Sequence, residues 1–475
     1  MSTLAAPPIT SEAFGSLNGL APASPAGPVE SSVPVRLPPS ATAPRWLQTL
    51  RFGVRPMAFN LGARRRYGDV WQLRLLSRRE PFVVTCHPDH VESLLKAAPA
   101  DAPSLTGESP LRPILGPNSV LTSVGDRHLR QRKLLLPPFH GEAVQRYVQM
   151  ISDVAEREIE RWPVGEPFSL APRMSSVTLD VIMTGVFGIE GQPAPGSPEH
   201  RVRQTIRRLL RGSTNPLYQL IDLQNASRRE ATGILRRLLA ILDRQMYAVI
   251  RERRAVAADG KRSDVLSLLL GARDEDGRPL TDQELRDELL SLVLAGHETT
   301  ANSLAWTFER LLRTPAAYDR LRELTRAGGA EADAFVEATI HEGMRNRPVI
   351  PMIVRMVMRP WRLGEYVLPA RTPVAVSIAA LHHREDVYPE PFAFAPERFL
   401  DRKPGTYTWI PFGGGIRRCL GASLAMAEQR VVLAAVARRT DLFAPDADPE
   451  RPRQRNVTMI PHRGARVVVA RRHPA

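Results

Sequence analysis

Cys419 stands in the run Pro411-Phe412-Gly413-Gly414-Gly415-Ile416-Arg417-Arg418-Cys419-Leu420-Gly421. Three consecutive glycines leave the backbone free to take positive φ and to approach a flat object closely. Arg417 and Arg418 can hold anionic oxygens through charge-assisted hydrogen bonds. The thiol falls at the mouth of an apolar helical stretch, Leu420 to Ala435. There the positive end of the helix dipole is expected to lower its pKa. A lone activatable thiol with carboxylate-binding arginines is the donor set an axial ligand to haem iron requires.

A second group lies within a long helical pattern from about Asp282 to Leu312, opened by Thr281-Asp282-Gln283-Glu284, which fits a capping box. Inside it, Ala295-Gly296-His297-Glu298-Thr299-Thr300 is poor helix material, and the threonines compete for backbone bonds. A local opening of the helix is expected there, with an acid and a hydroxyl beside it. Glu342 and Arg345, at i and i+3, share one helix face, and Arg398 follows in Pro396-Glu397-Arg398-Phe399. His128 and Arg132 sit four apart on a basic helix, and Arg355 lies in a strand-like segment after Pro351.

The spacing Phe-x-x-Gly-x-Arg-x-Cys-x-Gly, filled by Phe412, Gly415, Arg417, Cys419 and Gly421, resembles the haem-binding loop of the cytochrome P-450 monooxygenases. Ala295 to Thr300 resembles the oxygen-binding kink of the same family. The resemblance implies haem b ligated by Cys419, with Thr299 hydrogen-bonding dioxygen and Glu298 relaying protons from solvent. His128, Arg132, Arg355 and Arg417 would hold the two haem propionates. Glu342, Arg345 and Arg398 would form a buried structural triad. Gly343 departs from the family, which more often has a larger residue there. The pocket would be walled by Leu292, Ala295, Ile350 and Met352, whose apolar character suggests a fatty acid, terpenoid or polyketide-like substrate. Electrons would come singly from an acidic ferredoxin or flavodoxin with its reductase, so that NAD(P)H acts only indirectly. Arg127, Arg130, Lys133 and Arg418 would make the positive docking face. A haem-thiolate peroxygenase, isomerase or dehydratase, or a non-catalytic haem sensor, would use the same ligand; the pair Glu298-Thr299 argues against them.

These groups need a large scaffold, and 475 residues can bury one. The pattern is mainly α with small β-sheets near both ends. The family's fold, a single large helical domain with a β-rich lobe, is expected over residues 45–475. Residues 1–44, rich in Pro, Ala and Ser, read as a disordered tail. A helix is expected from Ala43 to Arg66, paired strands over 69–76 and 81–86, and a helix after His87-Pro88-Asp89. Helical breaks are expected near Gly165, 191–197 and 212–216. Further strands are expected over 353–358, 366–368, 373–378 and 467–470.

The two cysteines, Cys86 and Cys419, indicate no disulfide framework. Cys86 reads as a buried strand residue without a function. That usage fits a cytoplasmic setting. No apolar run is long enough to span a membrane, and Met1 to Val33 has no Lys or Arg, unlike a secretory signal. A soluble protein of the bacterial type is expected. The net charge of +15 comes mostly from arginines spread over many helices, which reads as a solvated surface rather than a nucleic-acid interface.

Overall fold

The computed structural model describes residues 22–474 apart from 77, 79, 140, 189–192, 213–223, 226–227 and 257–263. Twelve strands occur among them: β1 Ala26–Pro28, β2 Val70–Leu73, β3 Phe82–Thr85, β4 Pro167–Ser169, β5 Met352–Val357, β6 Trp361–Leu363, β7 Tyr366–Leu368, β8 Thr372–Ser377, β9 Thr440–Phe443, β10 Pro452–Arg455, β11 Thr458–Pro461 and β12 Arg466–Arg472. The largest sheet has the order β2-β3-β8-β5. Its β3–β8 pair is parallel, with Val83 opposite Val374, and joins the two ends of the chain. The others are β1-β6-β7, β4-β12-β9 and the hairpin β10-β11. Val83, Val84, Val374 and Ala375 anchor one apolar cluster under the mixed sheet. A larger cluster fills the space between the helices.

The centre of the helical part is the long helix Asp282–Leu311. It begins with the expected capping box, the Thr281 hydroxyl accepting from Glu284 N and the Glu284 carboxylate accepting from Thr281 N. Twenty of its 30 residues are buried although it carries many polar side chains. The expected opening at 295–300 is not seen, and the helix is continuous. Instead the Thr299 hydroxyl donates to Ala295 O at 2.7 Å, one turn back, a bond that a helix accommodates. Gly296 has a packing reason. A Cβ there would lie 2.9 Å from Ile182 Cδ1 on the helix Leu170–Phe187, the neighbour most extensively packed against the long helix.

Three other expectations shift. The helix expected over Ala43–Arg66 is two, Arg45–Val54 and Pro56–Tyr67, because Pro56 lacks the donor a continuing helix needs and suits the start of a new one. Residues 22–44, assigned by composition to a disordered tail, are held in place: β1 pairs with β6, and Arg36 bridges Val367. Residues 1–21 lie outside the described residues, as do parts of the expected breaks at 191–197 and 212–216. The helix after the cysteine runs over Ala422–Arg439 rather than from Leu420.

Several histidines are buried in this scaffold as neutral rings. Burial pushes His90 and His341 down to about 4 and His382 down to about 3. A histidine whose folded pKa is depressed adds stability above its unfolded pKa and loses it as pH falls toward the folded value. Stability of the polypeptide should therefore drop between pH 6.5 and 4, by about 1.4 kcal/mol per unit for each such ring. Urea unfolding at stepped pH checks this. Proton uptake on unfolding that is no larger at pH 5 than at pH 7 would refute it.

Candidate functional site

The cysteine loop is closed by a hydrogen bond from Cys419 N to Phe412 O at 2.8 Å. Phe412 is half-buried and meets Trp409 edge to face at 6.1 Å. Gly413 and Gly415 take φ of 67° and 62°, which a side chain would strain. The glycines also admit another part of the chain. A Cβ on Gly415 would fall 2.2 Å from Leu95 O, and one on Gly414 2.6 Å from Leu95 Cδ1. Cys419 itself is exposed. Desolvation by the surrounding protein nevertheless raises its pKa. The expectation of a lowered thiol pKa is thereby corrected. Opposing that rise are the Gly421 N–H, which bonds the sulfur, and the charges of Arg132 and Arg418. Gly421 precedes the first residue of the following helix, so its N–H is one of the helix's unsatisfied donors.

Beside the loop, His128, Arg355 and Arg417 line one cleft with Leu95, Val124 and Ile416. Burial pushes Arg355 and Arg417 down to about 10. His128 falls to about 4, through burial first and then the charges of Arg417, Arg132 and Arg355. None of these three arginines forms an ion pair with a carboxylate among the described residues. Arg417 donates to two backbone carbonyls, Val120 O at 3.1 Å and Ser123 O. Buried cations without acids, next to a thiol, fit a porphyrin that brings two carboxylates and a metal.

The segment that receives Arg417 is tied to the long helix. Glu288 accepts from Val120 N at 3.0 Å, Asp287 from Asn118 N and Nδ2 at 3.1 Å, and the Ser291 hydroxyl meets that of Ser119 at 2.5 Å. Desolvation pushes the Glu288 carboxyl well above its usual range. Further along the helix, Ala295 is exposed and Thr299 half-buried. The Ser303 hydroxyl, one turn beyond Thr299, donates to Gln429 Oε1 at 2.7 Å, tying this helix to the one that follows Cys419.

Glu298 is not free to face solvent. Its Oε1 accepts from Arg455 Nη2 at 2.8 Å, Arg455 Nε at 3.1 Å and the Thr458 hydroxyl at 2.8 Å. Arg455 and Thr458 are cross-strand partners that close the β10-β11 hairpin, with Asn456 at φ 50° in its turn. Neither residue is suggested by a motif. The signal was an asparagine between two short alternating segments, a hairpin cue. His297 is buried, and its ring bonds Val293 O.

Glu342, Arg345 and Arg398 meet with no side-chain exposure. Arg345 grips Glu342 with two bonds, Nε to Oε2 at 2.6 Å and Nη2 to Oε1 at 2.7 Å. Arg345 also donates to His382 O, Pro391 O and Ala393 O, and Arg398 to Glu390 O. Four backbone carbonyls between His382 and Ala393 are thus held by the two arginines, which locks the stretch before the cysteine loop. Gly343 lies beneath Thr307 of the long helix, where a Cβ would come within 2.1 Å of the hydroxyl. Its small size is what this close helix contact requires.

The four expected wall residues divide between clusters. Leu292 packs against the helical core and Met352 against the sheet core, while Ile350 is half-buried and Ala295 exposed. The expected positive face is partly neutralised. Arg130 is paired with Asp274 and Glu284, and Lys133 with Glu275. Arg127 and Arg418 are exposed without ion pairs among the described residues. Cys86 is buried, and desolvation pushes its thiol up to about 12.

A family profile described as Cytochrome P450 matches residues 38–468. A putative cytochrome P450 137 of Mycobacterium tuberculosis is 38% identical over 451 residues, covering 90% of each chain. A putative cytochrome P450 135A1 of the same species is 36% identical over 439 residues, covering 92% of this chain and 95% of the relative. Among solved structures, the heme domain of cytochrome P450DA superposes with a TM-score of 0.76 at 22% identity, covering 92% of this chain and 97% of that one. The retinoic acid bound cyanobacterial CYP120A1 gives 0.74 at 21%, covering 92% and 99%. These last two likenesses speak to the fold.

Removing the acid from a fully buried cluster leaves two cations without a counter-charge. Glu342→Ala should cost about 3–5 kcal/mol of stability and sharply lower the yield of folded protein. Unchanged denaturant midpoints would refute the assignment.

Proposed function

Since the chain belongs to the cytochrome P450 family, the haem-thiolate monooxygenases, we propose that it inserts one atom of dioxygen into an apolar small molecule with electrons from a separate acidic redox protein. The observation that carries this reading is the exposed thiol of Cys419 close to Arg355, which is buried, and Arg417, which is half-buried, neither ion-paired with an acid among the described residues. Haem b bound there would supply an iron able to bind and activate dioxygen.

The protein's own residues have separate tasks. Cys419 would hold the iron through its sulfur, and the Gly421 N–H with the charges of Arg132 and Arg418 favours its thiolate against the desolvation that opposes it. His128, Arg132, Arg355 and Arg417 would hold the two propionates and so gain the counter-charge that burial demands. Glu342, Arg345 and Arg398 hold the preceding segment in place and take no part in the chemistry. Leu292, Ala295, Ile350 and Met352 exclude water and favour an apolar substrate. Arg127 and Arg418 are the charges left to steer an acidic ferredoxin or flavodoxin.

Proton handling falls to Thr299 and Glu298. The Thr299 hydroxyl bonds Ala295 O and keeps lone pairs to accept a further proton donor. Glu298 passes protons through the oxygen that Arg455 and Thr458 leave unclaimed, or by loosening their grip. Arg455 is therefore a positioning residue for the acid.

Cys419→Ser should abolish the thiolate signature in the carbon monoxide difference spectrum; an unchanged spectrum ends the reading. Product should form with NAD(P)H, a surrogate reductase and ferredoxin, whereas turnover with hydrogen peroxide alone favours a peroxygenase. Arg455→Gln should leave that spectrum intact, lower the coupling of electrons to product several-fold and alter the solvent isotope effect, with partial rescue by Arg455→Lys. Coupling equal to wild type would remove Arg455 from the proton path.

A further inference from the structure

The helix Arg45–Val54 is built inside out. Trp46, Leu50 and Val54, spaced i, i+4 and i+8, are 57%, 54% and 55% exposed. The opposite face points inward and, apart from Phe52, is held largely by polar contacts. Gln48 is buried, donating from Nε2 to Ala43 O at 2.7 Å and accepting at Oε1 from Arg74 N at 3.1 Å. The Thr49 hydroxyl accepts from Leu76 N at 2.9 Å, and Arg45 Nη2 donates to Leu75 O at 2.8 Å. Leu76, fastened beside the helix by its bond to Thr49, is 61% exposed and widens the apolar patch. Phe52 is the side chain by which the helix joins the sheet-side core; the row Trp46, Leu50 and Val54 is left on the outside, and its burial must come from there.

The surroundings of the patch are cationic. Arg51, Arg55 and Arg74 are exposed, and no ion pair engages them among the described residues. From Ser31 to Gly68 the chain has seven arginines and no Asp or Glu. Of these, Arg36 is paired with Glu365 and Arg64 with Asp69, and Arg78, two residues after Leu76, is paired with Glu108. The apolar row spans only about 12 Å of helix, small for a protein partner, which needs roughly 800 Å². A bilayer needs only a few inserted side chains and a complementary charge.

We propose that this face docks on anionic phospholipid, with Trp46, Leu50, Val54 and Leu76 entering the interface and Arg51, Arg55 and Arg74 meeting the headgroups. The arrangement is peripheral; no helix among the described residues is long and apolar enough to cross a membrane. The same helix packs against β10, the strand that ends at Arg455.

The test uses the full chain with vesicles of phosphatidylcholine alone or mixed with phosphatidylglycerol. Co-sedimentation should be more than about tenfold stronger with the anionic vesicles at low salt and fall steeply as salt rises. Brominated acyl chains should quench tryptophan fluorescence, because Trp71, Trp162, Trp306 and Trp361 are buried and Trp46 is exposed. Trp46→Phe should keep binding and lose that quenching. The triple variant Trp46→Ser, Leu50→Ser, Val54→Ser should lose binding about tenfold or more at an unchanged circular dichroism spectrum. Equal binding by the triple variant overturns the proposal, as does binding without quenching. Binding that appears only after deletion of residues 2–21 also overturns it, since the patch would then belong to the chain's own N-terminal segment. So does a lipid-independent dimer that the triple variant dissolves.

Discussion

Four basic side chains, His128, Arg132, Arg355 and Arg417, sit together beside an exposed thiol, with no carboxylate paired to them among the described residues. A buried guanidinium lacking a counter-charge is one of the costliest arrangements a fold can carry. The depressed values of Arg355 and Arg417 express that strain. On the reading proposed above, a dicarboxylate ligand such as haem would relieve it and would thereby add to the stability of the site. Arg417 extends the effect outward, because its guanidinium also holds the carbonyls of Val120 and Ser123. Through Val120 N and Glu288 the same segment is fastened to the long helix.

That helix shows how burial sorts acids along one element. Glu288 has only a backbone donor for company, and desolvation drives its carboxyl toward the neutral form. Ten residues on, Glu298 meets Arg455 and stays ion-paired. The first acid is a structural clasp, and the second is a group whose charge an outside strand controls. The Ser303 bond to Gln429 and the close seat of Gly343 under Thr307 then set the helix against the helix that follows the cysteine loop and the one that carries Glu342 and Arg345.

The glycines were legible as a kind of residue and not as a set of contacts. Three in a row before Ile416 announce an unusual loop, and positive φ at Gly413 and Gly415 agrees. That Gly414 and Gly415 make room for Leu95, more than three hundred residues earlier, follows only from the packing. Gly296 announced a weakness in the long helix, yet it serves the approach of Ile182, and the helix runs on unbroken. Local propensity names a candidate for distortion. Tertiary contact decides whether the distortion occurs.

From the sequence alone came the thiol in its loop, the acid and threonine on one long capped helix, the bases spaced to grip carboxylates, and the family that shares them. Those signals are local: a few residues at short, defined spacing, each limited by its own stereochemistry. What the tertiary structure decided is which charges find partners. It spent Arg130 and Lys133 on Asp274, Glu284 and Glu275. Among the described residues it left Arg355 and Arg417 without an acid, and it brought Arg455 to Glu298 across the chain and turned Trp46, Leu50 and Val54 of the first helix outward. Electrostatic and hydrophobic pairing act through space, between residues whose separation along the chain is set by the whole fold, so no window of sequence contains them.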